Sequence, residues 1–217
     1  MSSSSLLCLF LLSSLAVSQS ISNVLFRKAA VSAAASAALL CGSPIASMIS
    51  VPLPAAAVEI ASSSAGTVYS DSRYKFDLKY PARFVSYDGQ LSSDRNIVAF
   101  VDPNDKDASV SIVVTAIPAD FTKLNSFGGG KDTLRQYLLP TGEGIETVLI
   151  DEAIKGENYY LEYTTKSADA NRHVYSIFAL RPAEAVVGVT VQCSEASFAT
   201  YKNSLFDTVK QSFHIDL

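Results

Sequence analysis

Tyr74, Phe76, Leu78 and Tyr80 alternate with Arg73, Lys75, Asp77 and Lys79, and Pro81 follows. A period of two puts one set on each side of an extended strand. One face must therefore find an apolar cover while the other stays wet. Proline gives no N–H to a ladder and closes the strand. Residues 70–73 (SDSR) read as a turn, which makes 67–69 a short partner strand.

The pattern repeats further on. Residues 96–103 (NIVAFVDP) and 108–118 (ASVSIVVTAIP) are β-branched runs separated by the polar turn 102–107, and they predict an antiparallel hairpin. Strands are expected again at 145–157, 158–166, 172–182 and 185–193. Two segments break the series. Residues 126–139 run from a glycine loop into a helix with Leu134, Tyr137 and Leu138 on one face, stopped by Pro140. From 195 to 212, Phe198, Tyr201, Leu205 and Val209 recur at helical spacing, with Phe206 and Phe213 beside them. Ser194 is placed to cap that helix, with Glu195 in its first turn. Strands follow strands without βαβ alternation. The expected class is α+β, a mainly antiparallel sheet with helices packed on it.

The first 57 residues have a different character. They hold no Asp or Glu, and their only charges are Arg27 and Lys28. Two apolar runs, 6–17 and 29–40, are each too short to span a bilayer comfortably, which takes about 20 residues. Ala55 and Ala57 form a small-residue cleavage pattern. The reading is a cleaved targeting leader, 1–57, with two export signals in series; one secretory signal followed by an Ala/Ser stretch is the alternative. Removing 57 of 217 residues leaves 160, enough for one domain, and takes two positive charges away, so the formal charge of −4 becomes −6. An acidic surface argues against nucleic-acid binding. Cys193 is the one cysteine left, which excludes an intrachain disulfide and a cysteine-based zinc site.

Motifs for chemistry are sparse. Residues 102–107 (DPNDKD) are acidic but lack calcium-loop spacing: Pro103 intrudes, Lys106 takes a ligand position, and the twelfth place is Val113. A solvated turn is expected there. Residues 126–133 (SFGGGKDT) fail the phosphate-loop pattern, with Asn125 where glycine is needed and Asp132 where Ser or Thr is needed. No nucleophile elbow occurs, and no carboxylate pair stands out as acid and base. Arg73, Lys75 and Lys79 make a basic stripe on the outer face of the first strand. It is either an exposed edge kept soluble by lysine or a docking patch for an acidic partner.

The order of the pieces carries a resemblance. Tyr69, Phe76 and Tyr80-Pro81 open the domain; Phe127-Gly128 precedes a short helix; Asn158-Tyr159-Tyr160 opens a strand; Arg172-His173 follows a polar turn; and Phe198, Leu205, Val209 and 212–215 (SFHI) close the chain. Together they resemble the PsbP family, extrinsic proteins of photosystem II, over most of residues 69–217. The domain would span 67–217, after a short flexible segment, 58–66. The resemblance implies an α/β/α sandwich without enzymatic activity, peripheral to the thylakoid membrane and not spanning it. The expected site is the lumenal side of photosystem II, in the plastid thylakoid lumen. The partners would be lumenal subunits or assembly intermediates, and the role retention of calcium and chloride for the oxygen-evolving complex, or photosystem assembly. A leader that crosses two membranes in succession agrees with that destination. Two departures point to a PsbP-like or PsbP-domain relative rather than the oxygen-evolving subunit itself. Only 58–68 precedes the first strand, and Phe198 stands where the family has Trp.

The resemblance also singles out His173. In the family a His here, with an acidic residue just before the last helix, can hold a divalent metal, and the acidic place falls on Glu195. Neighbouring strands 172–182 and 185–193 would bring the two together. Calcium, manganese or zinc are the candidate ions, although two ligands underdetermine a site. A hydrogen-bonded surface histidine is the competing reading, and His214 is expected to be structural or exposed. The contrasting function is a secreted or lumenal small-ligand binder or enzyme using a cleft between sheet and helices.

Overall fold

The computed structural model describes residues 66–127 and 131–216. The leader, 1–57, nearly all of the short segment after it, and the triple glycine 128–130 lie outside the described residues.

Strand β1 (Gly66–Asp71) turns through 72–75 into β2 (Phe76–Pro81). Strands β3 (Val85–Ser92), β4 (Arg95–Val101) and β5 (Ser109–Ala116) follow. A 3-10 turn (Leu124–Phe127) leads to helix α1 (Lys131–Leu138). Four long strands come next: β6 (Glu146–Lys155), β7 (Asn158–Lys166), β8 (Asn171–Arg181) and β9 (Ala185–Ser194). Helix α2 is a composite. It opens as a 3-10 turn (Glu195–Ser197), passes through an α turn (Phe198–Tyr201) and a π turn (Lys202–Phe206), and ends as α (Asp207–Ser212). The short β10 (His214–Ile215) closes the described chain.

Every strand pairing is antiparallel. The large sheet has seven strands in the order β3-β4-β5-β9-β8-β7-β6, and the small one has the order β1-β2-β10. The expected α+β class and the α/β/α sandwich are what the chain forms. The central strand β8 is buried on both faces from His173 to Leu180, which is why it reads as an apolar run rather than an alternation.

Two cores flank the large sheet. On one face Val110, Ile112, Val114, Tyr175, Ile177, Val187, Val189 and Val191 meet Phe76, Leu78 and Ile215 of the small sheet and Tyr201, Leu205, Phe206 and Val209 of α2. On the other, Tyr159, Leu161, Tyr163, Phe178 and Leu180 meet Leu134 and Leu138 of α1 with Leu124 and Phe127. Each such side chain removed from water contributes about 1.5–3 kcal/mol. Among the described residues the space between sheet and helices is thus lined on both faces by buried apolar side chains.

Three expectations need correction. The first strand begins at Phe76, so Arg73 and Lys75 sit in the turn before it and only Lys79 is on the strand. Lys75 takes a left-handed φ of 54° to make that turn. The strand is also no edge: β2 lies between β1 and β10, and its Lys79 N–H donates to Ser212 Oγ at the end of α2. Finally, β3 had no counterpart in the sequence reading, because nearly all of its residues are exposed and it has no buried face to announce it.

Candidate functional site

His173 is the third residue of β8 and lies opposite Cys193 of β9, one residue before the Ser194 cap of α2. Ser194 Oγ accepts from the Ser197 N–H, which fixes how α2 leaves the sheet. The exit angle sets Glu195 over the start of β8. The hairpin does what the sequence implied: His173 Nδ1 and Glu195 Oε2 are 3.0 Å apart.

A second carboxylate, not foreseen from the sequence, faces the other ring nitrogen. His173 Nε2 is 3.0 Å from Glu162 Oε1 of β7. Lys210 of α2 approaches the other oxygen of Glu162 at 3.7 Å. An imidazole donates through both nitrogens only in its protonated form, so serving both carboxylates takes the imidazolium. The ring itself is 3% exposed. It stacks on Phe198 with centroids 3.5 Å apart and planes 9° off parallel, and Phe206 meets it edge-on at 5.5 Å. His173 is therefore a buried pin joining β7, β8 and both halves of α2, rather than a surface histidine in a turn. One signal could have found Glu162: β7 pairs with β8 in the register Thr164 to His173, so Glu162 is the same-face diagonal neighbour.

This arrangement bears on a divalent metal. Glu195 and Glu162 address opposite nitrogens of one ring and cannot share a coordination sphere. An ion held by His173 Nδ1 and Glu195 would replace their hydrogen bond and take its remaining ligands from water. Among the described residues no group of three or more His, Cys, Asp or Glu is placed to hold an ion, whereas a structural zinc centre takes four protein ligands. The His173–Glu195 pair alone does not make a closed zinc centre. His214 is exposed and pairs with Asp216 at 2.9 Å.

The turn 102–107 holds a second cluster. Asp102 is buried, not solvated as expected. It accepts from Arg83 Nε (2.8 Å), the Tyr201 hydroxyl (2.9 Å) and the Asn104 N–H (2.9 Å). Burial pushes its carboxyl upward, but the Asn104 N–H, the Arg83 guanidinium and the Tyr201 hydroxyl together outweigh that and hold it below the usual carboxylate range. Tyr201 is pushed up, by burial first and then by the carboxylate it serves. This cluster ties the middle of α2 to the loop after β4. On the opposite face Glu152 does the same for α1, accepting from Tyr159 (2.7 Å), Lys131 (2.9 Å) and Arg135 (3.2 Å).

Arg73, Lys75 and Lys79 remain exposed. Arg73 lies 5.1 Å from the Tyr74 ring centroid; Lys75 is in the turn before β2 and Lys79 is on β2. No helix among the described residues is long and apolar enough to cross a membrane.

Comparison with known proteins gives one family. The profile described as PsbP matches residues 65–215. PsbP domain-containing protein 3, chloroplastic, of Arabidopsis thaliana is 29% identical over 164 residues, which is 70% of this chain and 66% of that protein. CyanoP of Synechocystis is 26% identical over 156 residues, 68% of this chain and 81% of its own length. The chain thus spans just under two thirds of the first relative. The solution structure of CyanoP superposes with a TM-score of 0.54 at 23% identity, covering 80% of this chain and all of CyanoP. At that identity the likeness speaks to the fold.

Proposed function

The chain belongs to the PsbP family, and from that premise we propose that it is an extrinsic, non-enzymatic protein of the thylakoid lumen. It associates peripherally with photosystem II or its assembly intermediates. Its work is done by contact, adding surface and shaping access for ions and water, and it makes or breaks no bonds. The observation that carries this reading is the family match over residues 65–215, nearly the whole described domain. The chloroplastic Arabidopsis relative and the leader-like composition of 1–57 support the destination. The apolar filling of both faces of the large sheet supports action from the outside of the domain.

Arg73, Lys75 and Lys79, exposed on an otherwise acidic chain, are the candidate docking patch for an acidic lumenal surface. Support of calcium and chloride retention at the oxygen-evolving complex is the narrower form of the proposal, and assembly is the broader one. Phe198 in the family's Trp position favours assembly, as do the few residues, 58–65, that cleavage after Ala57 would leave ahead of β1. The test is fractionation. Tagged protein should sediment with washed thylakoids, resist protease until the lumen is opened, and leave the membrane in about 1 M salt, where charge attraction is screened beyond about 3 Å. Reversing the charge at Arg73, Lys75 and Lys79 together should lower the salt needed. Release by detergent alone, or recovery outside plastids, would end the proposal.

A further inference from the structure

The large sheet has two open edges, and they are not alike. At one end β3 carries Gly89, a register shift between Gln90 and Ser92, and a single charge, Asp88. At the other, β6 is ten residues long, contains neither Gly nor Pro, and hydrogen-bonds to β7 alone; it has its own register shift at Ile150 and carries charges of both signs, Glu146, Asp151, Glu152 and Lys155. It also displays Val148, Ile150 and Ile154, each about half-exposed. A long edge strand that displays apolar side chains is a template for another strand, and its charges either blunt it or find partners across the edge. We propose that β6 is the pairing edge for a second copy of this chain, the two β6 strands running antiparallel about a two-fold axis and joining two seven-stranded sheets into one.

The choice of a second copy rests on charge and register. Glu146 and Lys155 stand at opposite ends of β6. When the strand is laid antiparallel on itself with Glu146 opposite Lys155 of the other copy, symmetry makes that ion pair twice. The same register sets Thr147 opposite Ile154 and Val148 opposite Ala153, again twice each. These pairs also agree in face. The extra residue, Ile150, falls between the Leu149–Tyr163 and Asp151–Glu162 pairs, so the alternation shifts by one at the middle of the strand. After that shift Glu146, Val148, Ala153 and Lys155 share one face, and Thr147 and Ile154 the other. Moving the register by one residue either way breaks this agreement in face, and in one direction it also puts Asp151 opposite itself, where like charges destabilise a pair. The bulge lands on the two-fold axis, so the ladder is carried by its two flanks. Strand β3 has no basic residue and offers no such self-match. Lys155 now lies 5.6 Å from the Tyr160 ring centroid on its own copy, from where a change of rotamer reaches across the edge. The contact is one strand wide and far smaller than an obligate dimer interface, so the dimer is reversible and concentration-dependent.

Sedimentation velocity over a concentration series of the purified chain tests this directly. The expected result is a reversible monomer–dimer equilibrium. Ile150→Lys and Val148→Lys, both at exposed positions and checked for folding by circular dichroism, leave a monomer throughout. Glu146→Lys or Lys155→Glu alone weakens association on the order of tenfold, because each substitution spoils two symmetric pairs. The double swap Glu146→Lys with Lys155→Glu restores it. A chain that is monomeric at every concentration overturns the proposal. So does a dimer indifferent to these substitutions, a double swap that fails to rescue, or an edge that captures a foreign strand-forming peptide while two copies ignore each other.

Discussion

Replacing His173 by phenylalanine keeps a flat ring against Phe198 and Phe206 and removes both nitrogen contacts. The cost follows from what each carboxylate can do afterwards. A hydrogen bond to a charged group is worth about 1.5–3 kcal/mol. Glu195 has a side chain 40% exposed and can turn to water, so its share falls toward the surface value, below about 1 kcal/mol. Glu162 is 21% exposed and keeps only the more distant Lys210, so its share stays near the full value. His173→Phe should therefore lose about 2–3 kcal/mol. For a domain of this size that is a fall in melting temperature of roughly 5–10 °C. His173→Ala also opens a hole beneath the stacked Phe198 and should lose about 4–5 kcal/mol. Urea unfolding followed by far-ultraviolet circular dichroism suits a chain without tryptophan. A double-mutant cycle with Glu162→Gln should recover most of the coupling, and the cycle with Glu195→Gln little of it. If His173→Phe unfolds within about 0.5 kcal/mol of the wild type, a difference typical of inert surface changes, the ring is packing alone and the pin does not exist.

Asp102 sets part of the acid limb. Its carboxyl sits below the ordinary value of 3.8 in the folded chain, so near that pH the unfolded chain binds more protons. The stabilisation is full above pH 3.8 and disappears as pH falls through the lower folded value; Asp102→Asn should cost about 1–3 kcal/mol at pH 7 and progressively less as pH falls below 3.8, read from urea midpoints. The Cys193 thiol is buried and pushed up to about 12 by that burial. Its peptide should therefore stay unlabelled by iodoacetamide at pH 8 until the protein unfolds, as mass spectrometry can show. Calorimetric titration with zinc, manganese or calcium should give the same isotherm for the wild type and His173→Ala; a tight, His173-dependent event would show that a third ligand exists.

Buried faces were legible in the sequence, and exposed ones were not. The alternation 74–80, the apolar runs of β4, β5, β8 and β9, and the i, i+3, i+4 rows of α2 each betray a surface that must be covered, and each became an element. Strand β3 shows the converse. Its residues meet water on both sides, so its pattern says nothing, and it exists because β4 offers it a ladder. The boundary error at Tyr74 has a related cause. Tyr74 is buried like a strand residue but reaches the core from the turn, and a burial pattern alone cannot separate the two. At the site, the His173–Glu195 approach followed from adjacent strands and a known helix start. Glu162 is not adjacent in sequence to His173 and reaches it only through the β7–β8 register, as the diagonal neighbour two residues from Thr164. Asp102 was misread because its partners, Arg83 and Tyr201, lie 19 and 99 residues away.

The π turn connects these observations. In a regular α-helix, residues eight apart drift by about 80° around the axis. Phe198 could then face His173 only if Phe206 turned aside. The π turn Lys202–Phe206 puts an extra residue into one turn of α2 and takes up that drift. Phe198 and Phe206 return to one stripe, their centroids 5.1 Å apart at 90°, and both meet the imidazole. The same widening keeps Tyr201, Leu205 and Val209 on the core. Helical spacing was visible in the sequence, but the widened turn was not, because an α-helix and a π-bulged one bury nearly the same residue types. With the bulge in place one helix covers both His173 on β8 and the Phe76 and Leu78 cluster on β2.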